Sequence, residues 1–155
     1  MDHEHFMRRA IELAKQAPQY PFGAVVVRRD DGQCVGQGFN RADLNPTYHG
    51  EMVAINDCAV RHRAEDWSGF DLYTTAEPCA MCQGAIEWAG IGRVFYGTSI
   101  PYLQRLGWWQ IDLRAAEVSA RAVFRDTLIV GGILETECNA LFAAACRGRF
   151  DLSSE

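Results

Sequence analysis

The order of hydrophobic patterns predicts an α/β domain: a mixed sheet of about five strands with helices on both faces. Three observations carry this. An amphipathic helical pattern is followed by a β-hairpin pattern. After the hairpin, strand-like and helix-like segments alternate repeatedly. The first strand, "AVVV", is continuously apolar rather than alternating, as expected of a strand buried on both faces. The 155 residues suffice for one compact domain with a real core, spanning 1–155, and are too few for two.

Each element follows from its residues. Residues 3–17 read as a helix with Phe6, Ala10, Leu13, Ala14 and Ala17 on one face, ended by Pro18. Ala24–Val27 forms a first strand, "DDG" a turn, and Gln33–Phe39 the returning strand. Residues 40–48 form a loop carrying Asn45-Pro46. A helix runs from about His49 to His62 with Met52, Ile55 and Ala59 as its inner stripe. "FDLYTTA" is a strand, and "CAMCQGAIEWAG" a short helix with Pro78 at its first position, where no N–H is needed. "GRVFYGT" is another strand, 101–113 an irregular aromatic stretch, 114–123 a helix, "DTLIVGGI" a last strand or strand pair, and 135–146 a helix.

Composition narrows the function. Apolar residues make up 48% and charged residues 23%, as in ordinary soluble proteins. No apolar run approaches membrane-spanning length, and "MDHEHFMRRAIELAKQ" lacks the apolar core of a signal peptide, so a cytoplasmic protein is expected. The formal net charge is −5, Lys15 is the only lysine, and the chain ends in the mildly acidic "RFDLSSE". That balance argues against a nucleic-acid partner, which usually demands a basic surplus or stripe. Of the six cysteines, Cys58, Cys138 and Cys146 fall in apolar helical patterns and Cys34 in a strand; inert, buried thiols are expected there. His3, His5 and His62 lack ligand-like spacing and read as solvated side chains.

Cys79 and Cys82 differ. "PCAMC" places C-x-x-C at the head of a helix, where both sulfurs can face one point and the positive helix end favours thiolates. Alone this pattern also fits a redox pair or a structural zinc knuckle. About thirty residues earlier stands "HGE", with His49 and Glu51 two apart. Helical neighbours face each other three or four apart, so an i, i+2 pair makes sense if His49 sits at the helix mouth and not inside it. His49, Cys79 and Cys82 then supply the three protein ligands of a catalytic zinc site, which keeps a fourth position for water. Zinc lowers the pKa of such a water to about 7. Glu51, not itself a ligand, serves as general acid and base. A structural site has no use for that carboxylate, and a redox role leaves His49 and Glu51 unexplained.

His49-Gly50-Glu51 with Pro78-Cys79-Ala80-Met81-Cys82 resembles the zinc-dependent cytidine deaminase superfamily, whose signature is H-x-E followed by P-C-x-x-C. "PFGAVVV", "NPTYHGEMVAI", "DLYTTAEPCAMCQGAI" and "RVFYGTSI" extend the resemblance to members acting on free bases or tRNA adenosine. The resemblance implies the three-layer cytidine-deaminase-like fold, one Zn²⁺ per chain and hydrolytic release of ammonia from a nucleobase or nucleoside. It implies that Glu51 protonates the ring nitrogen and then the leaving amine. Asn40 stands where relatives hydrogen-bond the base; its alternative reading is a turn residue. Gly50 and the backbone from Ala76 to Cys79 would complete the pocket, Phe22 and Gly23 would line it, and Glu77 would orient or brace it.

The substrate is less constrained. "PFGAVVV" and "NPT" resemble guanine deaminases, "HGE" with "DLYTTAEPC" also resembles cytosine deaminases, and "EPCAMC" with "GAI" is shared with tRNA adenosine deaminases. The loop from Asn40 to His49 is about two residues shorter than in those groups, and "IPYLQRLGWWQIDL" replaces a region where guanine deaminases place acidic residues. Asp112 is a candidate substitute. Trp108 and Trp109 either stack on a base or pack under a loop or at an interface. A small purine, guanine-like, is favoured over a pyrimidine or tRNA. A homodimer is expected through "CAMCQGAIEWAGI", because Ile86 and Trp88 cannot both face one core.

Overall fold

The computed structural model describes residues 1–63 and 66–151. Of the acidic run at 149–155, residues 152–155 lie outside the described residues, as do the side chains of 147–151. The elements are α1 (His3–Ala14), β1 (Gly23–Arg28), β2 (Cys34–Phe39), α2 (Gly50–Arg61), β3 (Phe70–Ala76), α3 (Ala80–Ala89), β4 (Arg93–Thr98), α4 (Ile100–Arg105), α5 (Ala115–Arg121), β5 (Leu128–Val130) and α6 (Glu135–Asp151). The strands form one sheet in the order β2-β1-β3-β4-β5. β1 pairs antiparallel with both β2 and β3; β3–β4 and β4–β5 are parallel. The mixed five-stranded α/β sheet expected from the sequence is therefore present.

The strand alternation sorts the core into two layers. Ala24 and Val26 point to the face covered by α2 and α3, where they join Val35, Ala54, Ile55, Leu72, Ile86 and Val94. Val25 and Val27 point to the opposite face, beside Phe6 of α1, Tyr73 and Phe95. Met7, Ala10 and Ile11 of α1 pack with Cys138 of α6 on that second face. β1 is buried on both sides, as its unbroken apolar run requires. The β1–β2 turn closes through Gly32 at φ +68°, a left-handed conformation that glycine adopts at little cost. Two glycines of β2 let α2 sit directly on the strand. A Cβ at Gly36 would meet the Ala54 carbonyl oxygen at 2.6 Å, and one at Gly38 would meet the Ala54 nitrogen at 2.6 Å.

Four expectations are corrected. The buried stripe of α2 runs through Glu51, Ala54, Ile55 and Cys58, and Ala59 is exposed; a buried carboxylate belongs to the inner face, which apolar patterning alone assigns to solvent. α1 stops at Ala14 and buries Met7 and Ile11 with Phe6, Ala10 and Ala14. Pro78 lies outside α3, because Cys79 holds the N-cap position with extended backbone. The stretch 101–113 is not wholly irregular: α4 occupies its start, with the Ser99 hydroxyl accepting from the Tyr102 N–H and proline in the first turn.

Candidate active site

α2 and α3 both begin near the C-terminal end of β3, the edge where α/β sheets gather ligand-binding groups. His49 is the N-cap of α2 and Cys79 that of α3, both with extended backbone and neither using its side chain to cap the helix. Their side chains are thereby free to converge. Nδ1 of His49 lies 3.5 Å from Sγ of Cys79 and 3.6 Å from Sγ of Cys82. Gly50 makes the approach possible, since a Cβ there would stand 2.4 Å from the Phe22 carbonyl oxygen.

Among the described residues, His49, Cys79 and Cys82 form a group able to hold a metal ion, with ligand atoms all within 4.8 Å of one another. The electrostatics suit a cation. Hydrogen bonds from the Cys82 thiol and from His49 hold the Cys79 thiol down to about 4, so Cys79 is a thiolate at neutral pH. Donating to that thiolate pushes Cys82 up, and the hydrogen bond to Cys79 raises His49. A thiolate, a second thiol and an imidazole at two positive helix ends match zinc's preference for sulfur and nitrogen donors.

Glu51 is 2% exposed, beside Cys82 and outside the ligand group. Burial raises its pKa first, the Cys79 thiolate adds to this, and the Thr74 hydroxyl opposes it by donating to Oε1 at 2.5 Å.

A cavity of about 370 Å³ opens beside His49, walled by Tyr20, Phe22, Asn40, Pro46, Trp108 and Trp109. Trp108 is buried and meets Phe22 edge-on at 5.5 Å and Phe142 of α6 at 5.7 Å. Trp109 is 96% exposed and borders both this cavity and a hollow of about 410 Å³ flanked by Cys79, Met81 and Ile111. Asn40 is on the wall, with its Oδ1 turned to the Ala42 N–H.

Other expected site residues lie elsewhere. Gly23 does not border the cavity but is wedged between α1, where a Cβ would meet the Ala10 carbonyl oxygen at 2.2 Å, and Gly50, whose own Cβ would stand 3.4 Å from the Gly23 Cα. Glu77 is buried and braces two helix starts, accepting from the Ile100 N–H, the Ala115 N–H and the Arg114 guanidinium. Asp112 borders neither cavity and accepts from Gln104. His3 is not merely solvated: it stacks on Phe95 and reaches the Tyr73 hydroxyl. Sequence reasoning missed Tyr20 and Pro46, loop residues without periodicity. It also missed Thr74, whose signal was a hydroxyl inside the wholly buried strand "FDLYTTA".

The mixed α/β sheet and the imidazole–thiol cluster at two helix mouths define a zinc-binding α/β protein with a water-accessible cavity. Residues 1–98 match the cytidine and deoxycytidylate deaminase zinc-binding region, and the chain belongs to this family. It is 37% identical over 98 residues to a tRNA-specific adenosine deaminase of Rickettsia bellii, covering 60% of this chain and 68% of that one. It is 40% identical over 102 residues to a guanine deaminase of Bacillus subtilis, covering 62% and 64%. The alignments thus span about two thirds of each relative's length. The solved guanine deaminase from Nitrosomonas europaea shares the fold, with a TM-score of 0.81 over 93% of this chain and 84% of that one at 24% identity.

Proposed function

We propose that the protein is a zinc-dependent hydrolytic deaminase of a nucleobase or nucleoside, guanine-like purines first. The observation carrying this reading is the convergence of His49, Cys79 and Cys82 beside a buried carboxylate that is not part of the ligand group. His49, Cys79 and Cys82 would hold the zinc, which when bound supplies acidification of a water, to a pKa of about 7. Glu51 would accept one proton from the water that adds to the ring carbon bearing the exocyclic amine and pass it to the adjacent ring nitrogen. It would then carry the water's second proton to the amine, so that the C–N bond breaks with release of ammonia as the carbonyl forms. Burial favours this role, because it raises the carboxyl pKa and makes Glu51 readier to hold a proton between accepting and returning it. Phe22 and Trp108 give the cavity flat apolar walls for a base, and Asn40 offers an amide on the same wall.

The Bacillus subtilis relative supports guanine, and the Rickettsia bellii relative supports tRNA adenosine as the second reading. Among the described residues, those walling the cavity include no lysine, arginine or carboxylate, which suits an uncharged base.

The test is ammonia release by zinc-loaded protein from guanine, guanosine, adenine, adenosine, cytosine, cytidine and a tRNA anticodon stem-loop. Turnover of one base, abolished in Glu51→Gln with zinc retained, is expected. Turnover of the stem-loop alone would replace the small-molecule reading, and Glu51→Gln with full activity would remove the mechanism.

A further inference from the structure

We infer that Thr74 is a positioning residue: its hydroxyl fixes the rotation of the Glu51 carboxylate by holding Oε1, leaving Oε2 as the oxygen that exchanges protons with water and base. Thr74 is fully buried near the end of β3, between Ala24 of β1 and Tyr96 of β4 in the sheet register. Ala24, Val26, Ala54, Ile55 and Leu72 make up the apolar layer on this face. A hydroxyl placed there must find a partner.

Two acceptors surround it. Thr74 Oγ1 lies 2.5 Å from Glu51 Oε1 and 3.0 Å from the Ala76 carbonyl oxygen. A threonine hydroxyl has one proton and cannot donate fully to both. The contact to Glu51 is the shorter by 0.5 Å, and there the Thr74 hydroxyl donates to Oε1. A carboxylate with one oxygen pinned has lost its freedom to flip, and its second oxygen is held in one direction through proton uptake and return.

The bland alternative is that Thr74 is simply a β-branched residue filling a strand position. Valine has nearly the same shape and no hydroxyl, and serine has the hydroxyl without the methyl, so the two variants separate the readings. The kinetic arm rests on the deaminase reading above. In zinc-loaded protein, Thr74→Val is expected to lower kcat by about 10–100-fold, the scale of one lost positioning contact, with KM within about twofold and zinc content unchanged. Thr74→Ser is expected to recover most of that loss.

A second arm needs no activity. In a melting cycle on metal-loaded protein with Thr74→Val, Glu51→Met, which has no oxygen to accept the hydroxyl, and the double variant, the midpoint shifts are expected not to add, because the two side chains share one hydrogen bond. Thr74→Ala takes the place of Thr74→Val if the latter does not fold. Unchanged kcat in Thr74→Val, a Thr74→Ser variant as impaired as Thr74→Val, or additive melting shifts would each overturn the assignment. If wild-type protein turns over no member of the panel, the deaminase reading fails, while the melting cycle still decides whether Thr74 holds Glu51.

Discussion

At the scale of single residues, the same side chain takes opposite protonation tendencies in the site and in the core. Cys79 is held down to about 4, while burial pushes Cys58 up to about 11 and Cys138 up to about 12. A thiol with a raised pKa stays protonated as long as the pH is below that value. At pH 8, Cys58 is therefore about one part in a thousand thiolate, and Cys138 less. In native zinc-loaded protein, iodoacetamide should label the half-buried Cys34 and leave Cys58 and Cys138 unlabelled until denaturant is added; peptide mass spectrometry reads this directly. Glu51→Gln keeps the volume of the buried side chain but removes its capacity to carry a proton. Turnover should fall by about 10²–10⁴-fold with zinc content unchanged, as measured by ammonia release and metal analysis.

At the scale of elements, two helix mouths have to be held in register. Zinc bound by His49 at the start of α2 and by Cys79 and Cys82 at the start of α3 would tie those ends together. Chelation should lower the thermal midpoint, and stoichiometric zinc should restore it. The backbone of α2 lies against the glycines of β2, so Gly38→Ala should displace it. A loss of about 1–3 kcal/mol in urea unfolding is expected, with weaker zinc retention as the distinguishing sign. This is also the scale at which the sequence was most legible. β3 at Phe70–Ala76 and β4 at Arg93–Thr98 follow their apolar runs closely, and the N-cap position of His49 was implied by the two-residue spacing of "HGE". What was not legible depends on tertiary partners. The stripe of α2 was misplaced because Glu51 is buried against Thr74, a pairing no local pattern announces. The packing of Gly23 on α1 and the pairing of Asp112 with Gln104 likewise depend on how the chain folds back.

At the scale of the whole molecule, the surface bears on association. Among the described residues no helix is long and apolar enough to cross a membrane. Trp88 is 77% exposed and lies 4.9 Å from the half-exposed Phe124, an apolar pair on the side of α3 turned away from Ile86 and the core. The expected homodimer would cover it, and light scattering at micromolar concentration should give twice the monomer mass, with Trp88→Glu reducing it to one. A monomeric wild-type mass would count against the dimer. The groups proposed for metal and proton chemistry all lie at or before Cys82, inside the stretch 1–98 shared with the family, whereas Trp108 and Trp109 reach the cavity from beyond it. One side of the recess is thus written on a different length of chain from the reactive centre. Descent can rewrite the later length without touching the earlier one, and a chimera joined after Thr98 would carry a relative's taste in substrates on this protein's reaction chemistry.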